Sequence, residues 1–292
     1  MSSEPRPRVS SLHPPDDYVL PGRPPESAGA GAQDAYRQTR FLLDGDLDLF
    51  AQAMRLQLAL VKDAYPSRYR THPLAAITAL WSRAFAHLAD AMLLATRGSY
   101  GSTLPLVRAA AELIAAQEGL RAGEMHLHDE WLASTLAPDE EFKAFEFKLG
   151  RYFSGEVLAS DPLLRSVYRP ASELARPAFG ASLLLVGPES NNNRLAVTFA
   201  EASFHLGWAE ISIGWLLALA LRQAKVALDA PDIIPAPQER RAAYEDLERR
   251  VRETLARHDR CRIEEVEQGN DRRYLVQNFR RGAGGTPRRI LL

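Results

Sequence analysis

Apolar residues recur along this chain at the three- and four-residue spacing of helices, and five long stretches carry the pattern. Residues 35–64 place Phe41, Leu42, Leu49, Phe50, Met54, Leu56, Leu58 and Val61 at that period, with a break expected near Gly45. The two prolines of YPSRYRTHP end the run. Residues 73–97 predict an amphipathic helix that buries Ile77, Trp81, Ala84, Phe85, Leu88, Met92 and Ala95. Gly98 stands where a C-cap belongs, and Ser102 or Thr103 can cap the next helix, with Pro105 tolerated in its first turn. The stretch STLPLVRAAAELIAAQEGLR, residues 102–121, has Leu106, Val107, Ala110, Leu113, Ile114 and Leu120 on one face and Ala109, Ala115, Ala116 and Gly119 on the other. A helix with so little polar surface is a buried one, and the rest of the chain is expected to pack around it; with the stop at Gly98, residues 73–121 read as an antiparallel helical hairpin.

The flanking regions are less uniform. Residues 1–33 are rich in Pro, Ser and Gly, carry no apolar period and read as a disordered leader. Short helices are expected over 129–136 and 139–152, with a further piece around 163–168 before Pro170 and Pro177 restrict the backbone. After the turn GPESNNN the pattern predicts its longest helix, residues 194–228, with Ala196, Ala200, Ser203, Gly207, Gly214 and Ala218 along one narrow arc. Pro231, Pro235 and Pro237 end it. Beyond lie a charged helix over 238–258 with a thin stripe of Tyr244, Leu247, Val251 and Leu255, a β-hairpin around QGND, and a basic tail. The fold class is thus all-α: a multi-helix bundle over 34–230, preceded by the leader and followed over 231–292 by a linker, a helix and a hairpin appendage.

Composition narrows the functions available. The 292 residues are 46% hydrophobic with a formal net charge of -1, so no global field draws nucleic acid or an anionic membrane. The basic side is nearly all arginine, as in GC-rich bacterial genomes. Arginine count alone is therefore poor evidence for phosphate binding. Cys261 is the single cysteine, which excludes an intrachain disulfide and a cysteine-based zinc site. A cytoplasmic location is the simplest expectation from that cysteine usage, and residues 1–18, without an apolar h-region, do not read as a signal peptide. Residues 204–221 approach the length of a membrane span, but His205 and Glu210 within them favour a core helix and no membrane partner.

Candidate chemistry starts from Arg108 and Glu112, one turn apart on the small-residue side of the 102–121 helix. The matching small-residue arc of the 194–228 helix suggests that the two pack there, with Arg108 buried against Glu112, Glu210 or both. Such a group either specifies helix register or, because a guanidinium can grip oxyanions in two places, holds a small anionic ligand. The run RGSYGSTLPLVRAAAELIAA, with Leu106, Arg108 and Glu112 spaced Leu-x-Arg-x-x-x-Glu, resembles a broad bacterial family of unknown function whose members resemble HEPN-like all-helical bundles. The resemblance covers roughly residues 75–225. It implies further ligand contacts at Tyr168 and Ser172, with Arg176 standing where that family carries histidine. HEPN nucleases use an Arg-x(4 to 6)-His motif on RNA, a spacing met by Arg121 with His126 or His128. Clustered His126, His128, Asp129 and Glu130, and the pairs His87/Asp90 and Glu201/His205, lack the Glu-x-x-His repeats of di-iron bundles, so no metal or other cofactor is expected. No Walker, Rossmann, HExxH or Gly-x-Ser-x-Gly motif occurs.

Two functions from different classes remain. One is a cytoplasmic helical protein, with homodimerisation expected, that binds a protein or a small anion. The other is a HEPN-like RNA-cleaving enzyme of a toxin or phage-defence system. A nucleic-acid partner would fall to Arg272, Arg273, Arg280, Arg281, Arg288 and Arg289, with Tyr274 and Phe279 the only aromatics among them.

Overall fold

A computed structural model describes residues 9–10, 13–64, 70–126, 128–129, 154–187, 190, 193–199, 202–268, 271–279 and 289–291. The chain is an all-α bundle with a small β appendage: α1 (Ala30–Ala64), α2 (His72–Thr96), α3 (Tyr100–Gly119), α4 (Gly155–Ser160), α5 (Pro162–Ala175), α6 (Phe179–Val186), α7 (Leu206–Leu228) and α8 (Gln238–Leu255), then β1 (Arg262–Gln268), β2 (Asp271–Gln277) and β3 (Arg289–Leu291). The helices expected over 129–136 and 139–152 lie almost entirely outside the described residues.

The centre of the bundle is α7 rather than α3. It is apolar over most of its surface, packs on α1, α2, α3 and α8, and 18 of its 23 residues are buried. It is also the one described helix long and apolar enough to cross a membrane, with 83% of that window buried inside the bundle. The α2–α3 hairpin lies beside it. In α2, Ile77, Trp81, Ala84, Leu88, Met92 and Ala95 are buried as the amphipathic pattern predicts, and Thr71 caps the helix by accepting from the Leu74 N–H. Ala110, Ala111 and Ala115 of α3 are fully buried, which lets α3 approach α5 and α7 closely.

Amides fix the helices against one another inside this apolar core. Gln57 of α1 donates to the Ala220 carbonyl of α7 at 3.0 Å and accepts from the Trp81 indole at 2.8 Å. Gln117 of α3 and Gln223 of α7 exchange hydrogen bonds at 3.2 and 2.6 Å. All four side chains are buried, so each amide satisfies what water cannot reach.

Several boundaries differ from the sequence pattern, each for a local reason. The kink in α1 falls at Leu43 (φ -125°, ψ 24°), two residues before Gly45. Helix α3 starts at Tyr100, with Ser99 rather than Ser102 or Thr103 at its cap. Helix α5 continues through Pro170 and stops at Arg176, whose extended backbone is the one a following proline favours. The helix predicted from residue 194 begins only at Leu206, because the His205 ring accepts the Trp208 N–H and caps it there. Ala196 and Ser203 therefore leave the small-residue arc. Gly207 and Gly214 face the C-terminal region instead of α3: a Cβ on Gly207 would stand 2.5 Å from the Phe279 carbonyl oxygen, and one on Gly214 3.2 Å from the Arg260 guanidinium.

The appendage is tied to the bundle. Tyr244, Leu247 and Val251 bury the thin stripe of α8, and β1 pairs antiparallel with β2 from Arg262↔Gln277 to Gln268↔Asp271. A third strand, not expected from the basic tail, pairs Ile290 with Val276. Within the leader, Tyr18 is buried with its ring edge-on to Phe50 and Phe85, and Asp17 meets Arg55 at 3.0 Å. A single aromatic anchor thus holds a segment with no apolar period.

Candidate functional site

The turn between α2 and α3 opens onto a cleft of about 300 Å³. Gly98 makes the turn possible: its φ of +77° is the left-handed region, and a Cβ there would stand 2.5 Å from the Ser203 carbonyl oxygen. The close approach brings residues 202–205 against the start of α3. Ser99 caps that helix without a side-chain hydrogen bond, and the N–H groups of Tyr100, Gly101 and Ser102 have no acceptor among the described residues. Ser99, Tyr100, Gly101 and Ser102 line the cleft on one side, and Thr198, Ser203, His205 and Trp208 line it on the other.

Burial acts on the Tyr100 phenol, and a hydrogen bond fixes the tautomer of the His205 ring. Tyr100 is only 5% exposed, its hydroxyl accepts the His205 backbone N–H at 3.3 Å, and burial pushes the phenol well above its ordinary pKa. It stays neutral and keeps a proton to donate. His205 is buried, its Nδ1 accepts the Trp208 N–H at 3.2 Å, and its ring lies 4.6 Å from that of Phe279. An acceptor Nδ1 carries no proton, so the neutral ring bears its hydrogen on Nε2. The Trp208 indole donates to the Leu184 carbonyl at 3.1 Å, which fixes the back wall.

The residues singled out by sequence fall elsewhere. Arg108 does pair with Glu112, at 3.2 Å, but the side chains are 42% and 37% exposed. The pair is therefore not trapped between α3 and α7. The Arg108 guanidinium instead lies 5.8 Å over the Tyr168 ring of α5, so Arg108, Glu112 and Tyr168 form one half-exposed group at the α3–α5 contact. Ser172, one turn on, is buried, and its hydroxyl has no hydrogen-bond partner among the described residues. Arg176 is exposed and pairs with Glu173.

Glu210 is buried, as expected, but away from Arg108. Its carboxylate accepts the Cys261 N–H at 2.8 Å, and its backbone carbonyl accepts from Arg260 at 3.0 Å. Arg260, 5% exposed, forms a 2.5 Å ion pair with buried Asp46 of α1. The buried guanidinium among the described residues is thus Arg260. No periodicity pointed to it, because it sits in the turn after α8. A second ionic group, Glu118, Arg222 and Asp161, was likewise missed: Arg222 reaches Asp161 at 2.9 Å and Glu118 at 3.4 Å, while Asp161 also caps α5.

Arg121 and the two histidines do not form a shared centre. Arg121 bonds Glu118 and the Asp229 carbonyl, and neither histidine is among its partners. Gly123, with φ +145°, breaks the helix between them. His126 is exposed with Nδ1 3.2 Å from the Gly123 carbonyl oxygen, and His128 lies beside Asp129. Among the described residues no three His, Cys, Asp or Glu side chains cluster as metal ligands would; Glu130 and Glu201 lie outside them. Arg280, Arg281 and Arg288 are also outside, and Arg289 is in β3. No family model, curated protein or solved structure matches this chain.

Proposed function

We propose that this protein acts by binding, and that the cleft at the start of α3 takes a small anionic compound bearing a phosphate or carboxylate. One observation carries the reading: three backbone N–H groups at a helix N-terminus, without acceptors among the described residues, open onto a 300 Å³ cleft. A helix start concentrates positive potential, and amides left without a cap are oriented to receive an oxyanion. Hydroxyls of Ser99, Ser102 and Tyr100 add donors, while Leu185 and Trp208 supply apolar wall for the rest of a ligand. No lysine or arginine is among the residues lining the cleft, so the affinity expected is modest and selectivity rests on hydrogen bonds. The RNA-cleaving alternative draws no support from the placement of Arg121, His126 and His128.

The test is thermal shift with inorganic phosphate, phosphomonoesters and dicarboxylates. A ligand present at 100 times its Kd stabilises by about 2.7 kcal/mol, roughly 5 °C for a chain of this length. Ser99→Asp supplies an internal carboxylate at the cap. It should raise the melting temperature by itself and abolish the anion effect. No anion-dependent shift, or a shift that survives Ser99→Asp unchanged, overturns the assignment.

A further inference from the structure

Helix α6 and the segment after it carry an apolar surface that the rest of the described chain leaves uncovered. None of the α6 residues is buried, and Phe179 is 82%, Leu195 65%, Val197 62% and Phe199 96% exposed. These residues belong to one preformed unit. The Val186 carbonyl accepts from both the N–H and the hydroxyl of Thr198, at 2.8 and 2.7 Å. The Ser190 hydroxyl donates to the Ala196 carbonyl and accepts the Ala196 N–H, at 2.9 and 3.0 Å. Gly187 permits the contact, since a Cβ there would overlap the Ala196 carbonyl oxygen.

We infer that this face, Phe179, Val186, Leu195, Val197 and Phe199, is the interface with a second copy of this chain. The area decides between an ordinary surface and a contact. A fully exposed phenylalanine presents roughly 200 Å², and with the exposures above and Val186 at 39% the five residues together present about 600 Å², the upper end for a monomer's largest patch. A twofold axis through the patch pairs it with itself and buries about 1,200 Å² in total, the area at which specific interfaces become stable. The five interface side chains carry no charge, and a self-complementary apolar contact needs no opposite charge across the axis. Leu185 and Thr198 of the same segments line the cleft, and Val186 stands at its rim, so the second copy would back its outer wall.

The experiment is sedimentation velocity on the full chain from 1 to 100 µM, run beside Phe199→Ser and Phe179→Ser. The expected result is a wild-type species of twice 32.4 kDa, with at least tenfold weaker self-association in each variant and an unchanged helical circular dichroism signal. A wild-type monomer at 100 µM overturns the inference, whether or not it sediments with anionic vesicles. So does a dimer that both variants leave intact, because its interface then lies elsewhere. Loss of the helical signal in both variants also overturns it, since side chains this exposed cannot be holding the fold unless the face is covered from within.

Discussion

Replacing Arg260 by alanine should be among the most damaging single changes outside the apolar core. The side chain is 5% exposed, forms an ion pair with buried Asp46 at 2.5 Å and donates to the Glu210 backbone carbonyl at 3.0 Å. Its removal leaves Asp46 buried without its cation and the Glu210 carbonyl without that donor, and breaking a buried pair on one side costs about 3 to 5 kcal/mol. For a chain of this length that corresponds to a fall of roughly 6 to 10 °C in Tm, read by circular dichroism and checked as a lower urea midpoint. Asp46→Asn placed in the Arg260→Ala background should restore part of the loss, because an amide tolerates burial better than an uncompensated carboxylate. Gly214→Ala sharpens the test. In the wild type its Cβ would press on the guanidinium at 3.2 Å, offsetting the gain of about 1 kcal/mol that alanine brings to a helix. With Arg260 gone the same change enters vacated space and should stabilise. An Arg260→Ala shift under 2 °C would refute the reasoning, as would a Gly214→Ala effect identical in both backgrounds.

Burial decides two further outcomes. Arg108→Ala should lower Tm by no more than about 3 °C, because a half-exposed i,i+4 pair contributes about 0.3 to 0.5 kcal/mol and the contact with Tyr168 about 0.5 to 1; a drop above 6 °C would mean that the pair is buried after all. His87 and His128 are both held below the ordinary 6.5 by burial, aided by Arg83 and His72 respectively and opposed by Asp90 and Asp129. The neutral rings are thus favoured in the folded state, so their contribution is present above pH 6.5 and is lost as pH falls from there toward the folded pKa values. Urea midpoints measured from pH 7.5 to 5.0 should fall, and less steeply for His87→Gln/His128→Gln; equal slopes would show that neither ring is linked to folding.

The sequence was most legible where one physical signal dominated. The period of α2 marked Ile77, Trp81, Ala84, Leu88, Met92 and Ala95 as buried, with Phe85 only half-buried, because a surface helix repeats its apolar stripe every turn, and the Gly98 stop and the β1–β2 hairpin agree with turn chemistry. The core position of α7 was readable because Glu210 made a membrane span costly. Its start was not, since Ala196 and Ser203 fit a helical arc by spacing while the cap depends on a ring nitrogen reaching a backbone N–H. Charge pairing was the least legible. Arg108 looked buried because its helix is small-residue on that side, but α5 covers only part of it, whereas Arg260, in a turn, is carried by α8 and β1 into the space above Gly214. The cleft escaped for a related reason: it joins the start of α3 to residues about 100 positions later, a proximity that no local spacing encodes.

The reciprocal amides of Gln117 and Gln223 bear on how this bundle finds one arrangement. Alanine and leucine surfaces slide past one another with little change in contact, so they permit neighbouring alignments of nearly equal energy. A carboxamide dyad has no such tolerance: displacement by a single turn strands four donors and acceptors in hydrocarbon. With the Gln57 bridge to Ala220 performing the same task toward α1, α7 is indexed against two partner helices, and the aligned arrangement is separated in energy from its shifted alternatives.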